Sequence, residues 1–130
     1  MVVDTSALMA ILLREPEEAD FLRALERAEF RRMSVGTLLE AHVVSVGKRG
    51  SEGLITLEHF FQEARLEFVP ITLEQADVAR SAFSRFGRGR HRAGLNFGDC
   101  FSYALAKVTG EPLLCKGDDF VHTDLPLVEL

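Results

Sequence analysis

Short apolar runs alternate along this chain with longer stretches in which apolar residues recur every three or four positions. The runs predict strands at residues 2–4, 30–35, 68–71 and 112–115, with a last edge strand at 127–129. Pro70 lacks an amide proton, which confines its strand to an edge or an end. The periodic stretches predict helices. Residues 6–14 place Leu8, Ile11 and Leu12 on one face, and a second helix holds Pro16 in its first turn among acids, with Phe21, Leu22 and Leu25 as its stripe. A third helix at 37–47 has Leu39, Val43 and Val46 as its expected core face and Gly50 marking its end. A fourth at 54–66 is built on Leu54, Leu57, Phe60 and Phe61. A helix at 72–86 opens with the capping box Thr72-x-x-Gln75. A loop at 87–94 follows, and then an apolar helix at 97–109. Strands alternating with helices across short joints predict an α/β fold with a mainly parallel sheet. With no repeat, low-complexity tract or linker, one domain over residues 1–130 is expected.

Composition adds compartment and charge. An apolar share of 47% supports a real core, and no apolar run reaches the roughly 18 residues that span a bilayer. Strand character begins at the second residue, so no leader is expected before the fold. Cys100 and Cys115 form no C-x-x-C pair or secreted framework and read as small core thiols in a reducing, cytoplasmic setting. The net charge is −5, but it is unevenly spread. Residues 78–98 contain no acid and hold Arg80, Arg85, Arg88, Arg90, Arg92 and His91. A basic segment on an acidic body suits an anionic substrate approaching from one side; a solvated loop whose arginines pair with scattered acids is the alternative.

The candidate chemistry lies in Asp4, Glu40, Asp99 and the Asp118-Asp119 pair, each where a strand gives way to a turn or helix. In an open parallel sheet such positions gather along one edge, where ligands bind. Each also has a structural explanation. Asp4 suits an N-cap, Thr37-x-x-Glu40 and Asn96-x-x-Asp99 suit capping boxes, and Gly-Asp-Asp suits a turn. Carboxylates brought together repel by about 4 kcal/mol per pair at about 4 Å and an effective dielectric of about 20. Asp4 follows two valines and Asp99 lies between Phe97 and Phe101, apolar settings in which an unpaired charge is costly. An all-oxygen Mg²⁺ or Mn²⁺ site follows. Zinc fits poorly, since His42, His59, His91 and His122 show no paired helical spacing. A phospho-acceptor signalling domain would need an adjacent acidic pair at the first strand, which Asp4-Thr5 lacks, and a non-catalytic module would use the acids only as caps.

The blocks VVDTSALMAIL, LLEAHVV, AGLNFGDCFSYALA and LLCKGDDFVHTDL, spread over nearly the whole chain, resemble PIN-domain proteins, most nearly the VapC toxins of bacterial type II toxin–antitoxin pairs. The resemblance implies a three-layer α/β/α fold and a Mg²⁺-dependent endoribonuclease, with Mn²⁺ able to substitute. It also implies a homodimer and a cognate VapB-type antitoxin. Carried over residue by residue, the catalytic and metal-binding acids are Asp4, Glu40, Asp99 and Asp118, with Asp119 adjacent as an alternative fourth. Thr5 and Ser6 match a small hydroxyl residue after the first acid. In this reading Arg85, Arg88, Arg90 and Arg92 touch RNA phosphates, and the third and fourth helices, with Leu54, Leu57, Phe60 and Phe61, form the dimer surface.

Overall fold

In the computed structural model, which describes residues 1–130, the first strand, β1 (Val2–Val3), is two residues long. Its alternation still divides the core in two. Val3 packs with Met33 and Leu114 on one side of the sheet, and Val2 packs with Leu113 on the other. The first side is covered by α1 (Thr5–Leu12), α2 (Glu18–Arg27) and α3 (Val35–Ala64), the second by α4 (Leu73–Phe86) and α5 (Phe97–Thr109). With β2 (Arg32–Ser34), β3 (Glu67–Val69) and β4 (Leu113–Leu114), the sheet runs β3-β2-β1-β4, every neighbour parallel. This is the expected three-layer arrangement. Strands buried on both faces need apolar residues at successive positions, which is why they read as continuous runs. Each fully buried Val or Leu contributes about 1.5–3 kcal/mol relative to exposure, so such short strands hold chiefly through their two apolar layers. No helix is long and apolar enough to cross a membrane.

Several expectations change. Residues 35–64 form one helical run bent at Gly50, whose φ of 56° and ψ of −138° only glycine adopts at low cost. Val35 opens this helix rather than closing the strand, and the cap is Ser34, whose Oγ accepts from Gly36 N at 3.2 Å. Leu39, Val43 and Val46 face outward, at 65%, 61% and 43% exposure, instead of forming the core face. The buried side of that half-helix is Gly36, Thr37, Ala41 and Ser45. Small residues let it approach α1 and α5 closely, which leaves the larger stripe outside. Beyond the bend the correction is opposite in sense: Leu57 and Phe61 are core and Leu54 and Phe60 half-buried, so they form no free dimer surface. Pro16 lies just before α2, whose N-cap is Glu17. Thr72 caps α4 by accepting from Gln75 N at 3.1 Å, but the Gln75 side chain donates to Pro70 O, so that box is half-formed. The expected last strand reduces to a single bridge between Leu127 and Leu113.

Candidate active site

The sheet's C-terminal edge collects the acid-bearing segments. Asp4 leaves β1, caps α1 and is buried. Its Oδ2 accepts from Ser6 N at 2.9 Å and Ser6 Oγ at 2.6 Å, and its Oδ1 accepts from Ser102 Oγ at 2.6 Å. Glu40 sits in the second turn of α3. The box Thr37-x-x-Glu40 does not form, because Ser34 holds the cap and both residues lie inside the helix. Glu40 is thereby free to reach α5: its carboxylate lies against Gly98, where an added Cβ would fall 1.4 Å from Oε2. Asp99, also buried, completes the expected box with Asn96. Asp99 Oδ2 accepts from Asn96 N, and Asn96 Oδ1 accepts from Asp99 N, both at 2.9 Å. Asp118 and Asp119 occupy the exposed turn after β4.

Electrostatics show which carboxylates feel one another. Burial pushes the Asp99 carboxyl up to about 7 against the pull of the Asn96 amide, and the charges of Asp4, Asp119 and Glu40 raise it further. Glu40 is raised by burial and by Asp4. The Thr5 hydroxyl lies close enough to favour the ionised form of Glu40, yet it makes no hydrogen bond of good geometry and is an orphaned buried atom at the site. The Cys115 thiol is pushed up to about 12 by burial and then by Asp4, Asp99 and Asp119. It is half-buried and packs against the core on the α4–α5 side of the sheet, within reach of these charges, and Cys100 is buried as expected. Of the adjacent pair, Asp119 acts on both Asp99 and Cys115; Asp118 acts on neither. No cation offsets these charges from within. Lys116, the nearest basic residue in sequence, is bound by Glu15 at 2.5 Å and Glu17 at 2.8 Å.

These residues fit a hard divalent cation in a particular way. No three acidic, histidine or cysteine side chains are grouped closely enough to hold an ion by themselves. An ion here would take one or two carboxylates and keep waters, which is how Mg²⁺ is usually held. Repulsion around buried Asp4 and Asp99, the oxygen-only donors and the orphaned Thr5 hydroxyl all suit such an ion.

The basic loop is closed by backbone bonds from Arg88 N to Leu95 O and from Leu95 N to Phe86 O, both 2.9 Å. Arg88, Arg90 and Arg92 project from it, exposed and without an ion pair. Arg85 is engaged elsewhere, 3.8 Å from Asp124 and over the Phe86 ring, and Arg80 pairs with Asp77. Three contributors escaped the sequence reading. Ser102 is one turn past Asp99, a spacing that puts both on one face of α5. Thr37 has the same relation to Glu40. Gly98 gave no signal, because its use depends on a side chain from another helix.

The model of the PIN domain family matches residues 1–125. Ribonuclease VapC30 of Mycobacterium tuberculosis is 48% identical over 130 residues, covering 100% of this chain and 99% of that protein. Ribonuclease VapC of Mycolicibacterium smegmatis is 48% identical over 128 residues, covering 98% and 99%. Among solved structures, M. tuberculosis VapC20, described as a sarcin-ricin loop cleaving toxin, superposes with a TM-score of 0.79 at 16% identity, covering 99% of this chain and 98% of that one. The DNA-bound VapBC of Salmonella typhimurium gives 0.71 at 18% identity, covering 98% and 95%.

Proposed function

Since this chain belongs to the PIN domain family, and within it to the VapC ribonucleases, we propose that it is a Mg²⁺-dependent endoribonuclease. It would be the toxin of a type II toxin–antitoxin pair, acting in the cytoplasm as one nuclease domain over residues 1–130. The observation that carries the metal-dependent reading is the mutually repelling set of buried Asp4 and Asp99 with half-buried Glu40 at the sheet edge, with no cation of the protein's own.

Bound Mg²⁺, or Mn²⁺ in its place, supplies the Lewis acidity that polarises a phosphoryl oxygen and eases proton loss from water. Asp4 and Asp99 would be its direct ligands. Glu40 and the Asp118-Asp119 turn would hold waters, and within the turn Asp119 is favoured by the reach of its charge to Asp99. Glu40, whose proton affinity burial has raised, also orients the attacking water as general base. The test is incubation of purified protein with total RNA. Cleavage should require Mg²⁺ or Mn²⁺ and be lost in Asp4→Ala. The same substitution should relieve growth arrest on expression at equal protein level; toxicity that survives it removes the catalytic reading.

Arg88, Arg90 and Arg92 position the RNA strand through its phosphates, which carry no sequence information. Arg85 contributes less, being turned toward Asp124. Replacing the first three with glutamine should weaken binding across sequences. It should also flatten the salt dependence by about 0.7 in slope for each single-strand phosphate that is no longer neutralised. An unchanged slope assigns the loop to the antitoxin or to the surface alone.

The partners are a VapB-type antitoxin and a second copy of the chain. For the homodimer the exposed stripe Leu39, Val43 and Val46 replaces the residues expected beyond the bend. Beside it lies an apolar groove of about 500 Å³ lined by Ile71, Phe97 and Phe101. Val43→Asp should yield a folded monomer by sedimentation at micromolar concentration; a wild-type protein already monomeric there leaves that face to the antitoxin.

A further inference from the structure

All four acid-bearing segments are tied by one chain of hydrogen bonds beneath the carboxylates. Thr37 Oγ1 and Ser102 Oγ lie 3.1 Å apart, and both side chains are fully buried. Ser102 Oγ reaches Asp4 Oδ1 at 2.6 Å, Ser6 Oγ reaches Asp4 Oδ2 at 2.6 Å, and Lys116 N donates to Ser6 Oγ at 2.9 Å. Thr37 lies one turn before Glu40, Ser102 one turn after Asp99, and Lys116 just before the Asp118-Asp119 turn.

Proton counting fixes the direction of the chain. A hydroxyl has a single proton to donate. An ionised Asp4 only accepts, so Ser102 gives its proton to Oδ1, and the Thr37–Ser102 bond must run from Thr37 to Ser102. A carboxylate offers about four lone-pair positions. Asp4 Oδ2 fills two of them with Ser6 N and Ser6 Oγ, and Oδ1 fills one with Ser102. One position is left, on Oδ1.

Resting on the metal-dependent reading above, we propose that Ser102, supported by Thr37, is a positioning residue that presents a single Asp4 oxygen, Oδ1, to the divalent ion. Ser102 restrains rotation of the Asp4 carboxylate and keeps the helices bearing Asp99 and Glu40 in register with it. Partners of this kind, one bond behind a metal ligand, typically change metal affinity by about 10- to 100-fold when removed.

The experiment measures Mn²⁺ binding by electron paramagnetic resonance of the free ion, on the full chain without RNA, with folding of each variant followed by circular dichroism. Ser102→Ala should weaken Mn²⁺ at least tenfold while the protein stays folded. Thr37→Val, which keeps shape and removes only the distal donor, should weaken it by a smaller factor, and Thr37→Ser should restore wild-type affinity. If Ser102→Ala does not fold, the Thr37 pair alone decides. Equal affinity in Thr37→Val and Thr37→Ser then overturns the proposal, as does wild-type affinity in a folded Ser102→Ala. A wild-type protein that binds no Mn²⁺ overturns the metal reading itself, whereas binding lost in Asp4→Ala but indifferent to Ser102 and Thr37 overturns the positioning role alone.

Discussion

In the absence of divalent ions, Asp99→Asn should be more stable than wild type at pH 8, by at most about 4 kcal/mol, while losing RNA cleavage. Asparagine keeps an oxygen that can accept from Asn96 N, so the capping box survives and only the charge is removed. The sign follows from linkage. The Asp99 carboxyl is raised from 3.8 to about 7 in the folded protein, so the native state holds its proton more tightly than the unfolded chain. Below 3.8 both states are protonated and nothing is lost. Between 3.8 and about 7 the unfolded chain releases its proton first, and stability falls as pH rises. Above that window both are ionised and the full penalty remains. Melting temperature in EDTA should therefore decline across this range in wild type and decline less in Asp99→Asn, with a residual slope from Glu40, which is raised in the same direction. Millimolar Mg²⁺ should raise the melting temperature of wild type but not of Asp99→Asn and so narrow the gap, because an ion at 100 times its Kd stabilises the native state by about 2.7 kcal/mol. Asp99→Ala separates the roles: it loses the same charge but also the acceptor for Asn96 N, a hydrogen bond worth about 0.5–1.5 kcal/mol. If Asp99→Asn in EDTA at pH 8 is instead weaker than wild type, Asp99 is chiefly a structural cap and the acids do not strain one another.

How far the sequence alone reaches is clear from particular residues. Asp4 and Asp99 are legible because their capping role and their place in the cleft coincide: a residue that ends a buried strand or opens the next helix is carried to the sheet edge by topology. The strands are legible because burial on two faces leaves continuous apolar runs. The third helix is not. Leu39, Val43 and Val46 form a good stripe, but periodicity states only that a stripe exists. Which side faces the sheet is decided by how closely Gly36, Ala41 and Ser45 let the helix approach its neighbours. The same limit hides the cap at Ser34 behind the more conspicuous Thr37-x-x-Glu40. Asp118 and Asp119 are adjacent in an exposed turn, and spacing does not separate them; in the fold it is the charge of Asp119 that raises Asp99. The hydroxyls of Ser102 and Thr37 share helix faces with Asp99 and Glu40, so their involvement is a matter of spacing that could have been read. Their bond to each other joins positions 65 residues apart.

Gly98→Ala should reduce RNA cleavage by about 100-fold, the scale expected when a reacting group is misplaced by about 1 Å, with little loss of stability. In a helix interior this exchange normally gains up to about 1 kcal/mol, since alanine restricts the unfolded chain and glycine does not. Here the new Cβ would fall 1.4 Å from Glu40 Oε2 and 2.4 Å from its Cδ. One group must move, and the flexible end of Glu40 yields more easily than the backbone of α5, which is pinned by Asn96 and Asp99. Glu40 therefore rotates away, the fold survives, and the loss falls on the chemistry. A double-mutant cycle isolates this interaction. In a Glu40→Ala background the obstacle is gone, so Gly98→Ala should there stabilise the protein by the ordinary helical increment and cause no further loss of activity. Coupling of this kind is expected only for residues that touch. Mn²⁺ affinity should change far less than turnover, because Asp4 and Asp99 keep their positions. A Gly98→Ala protein that cleaves RNA at the wild-type rate would show that the placement of the Glu40 carboxylate on the start of α5 is incidental, and would remove Glu40 from the role of general base.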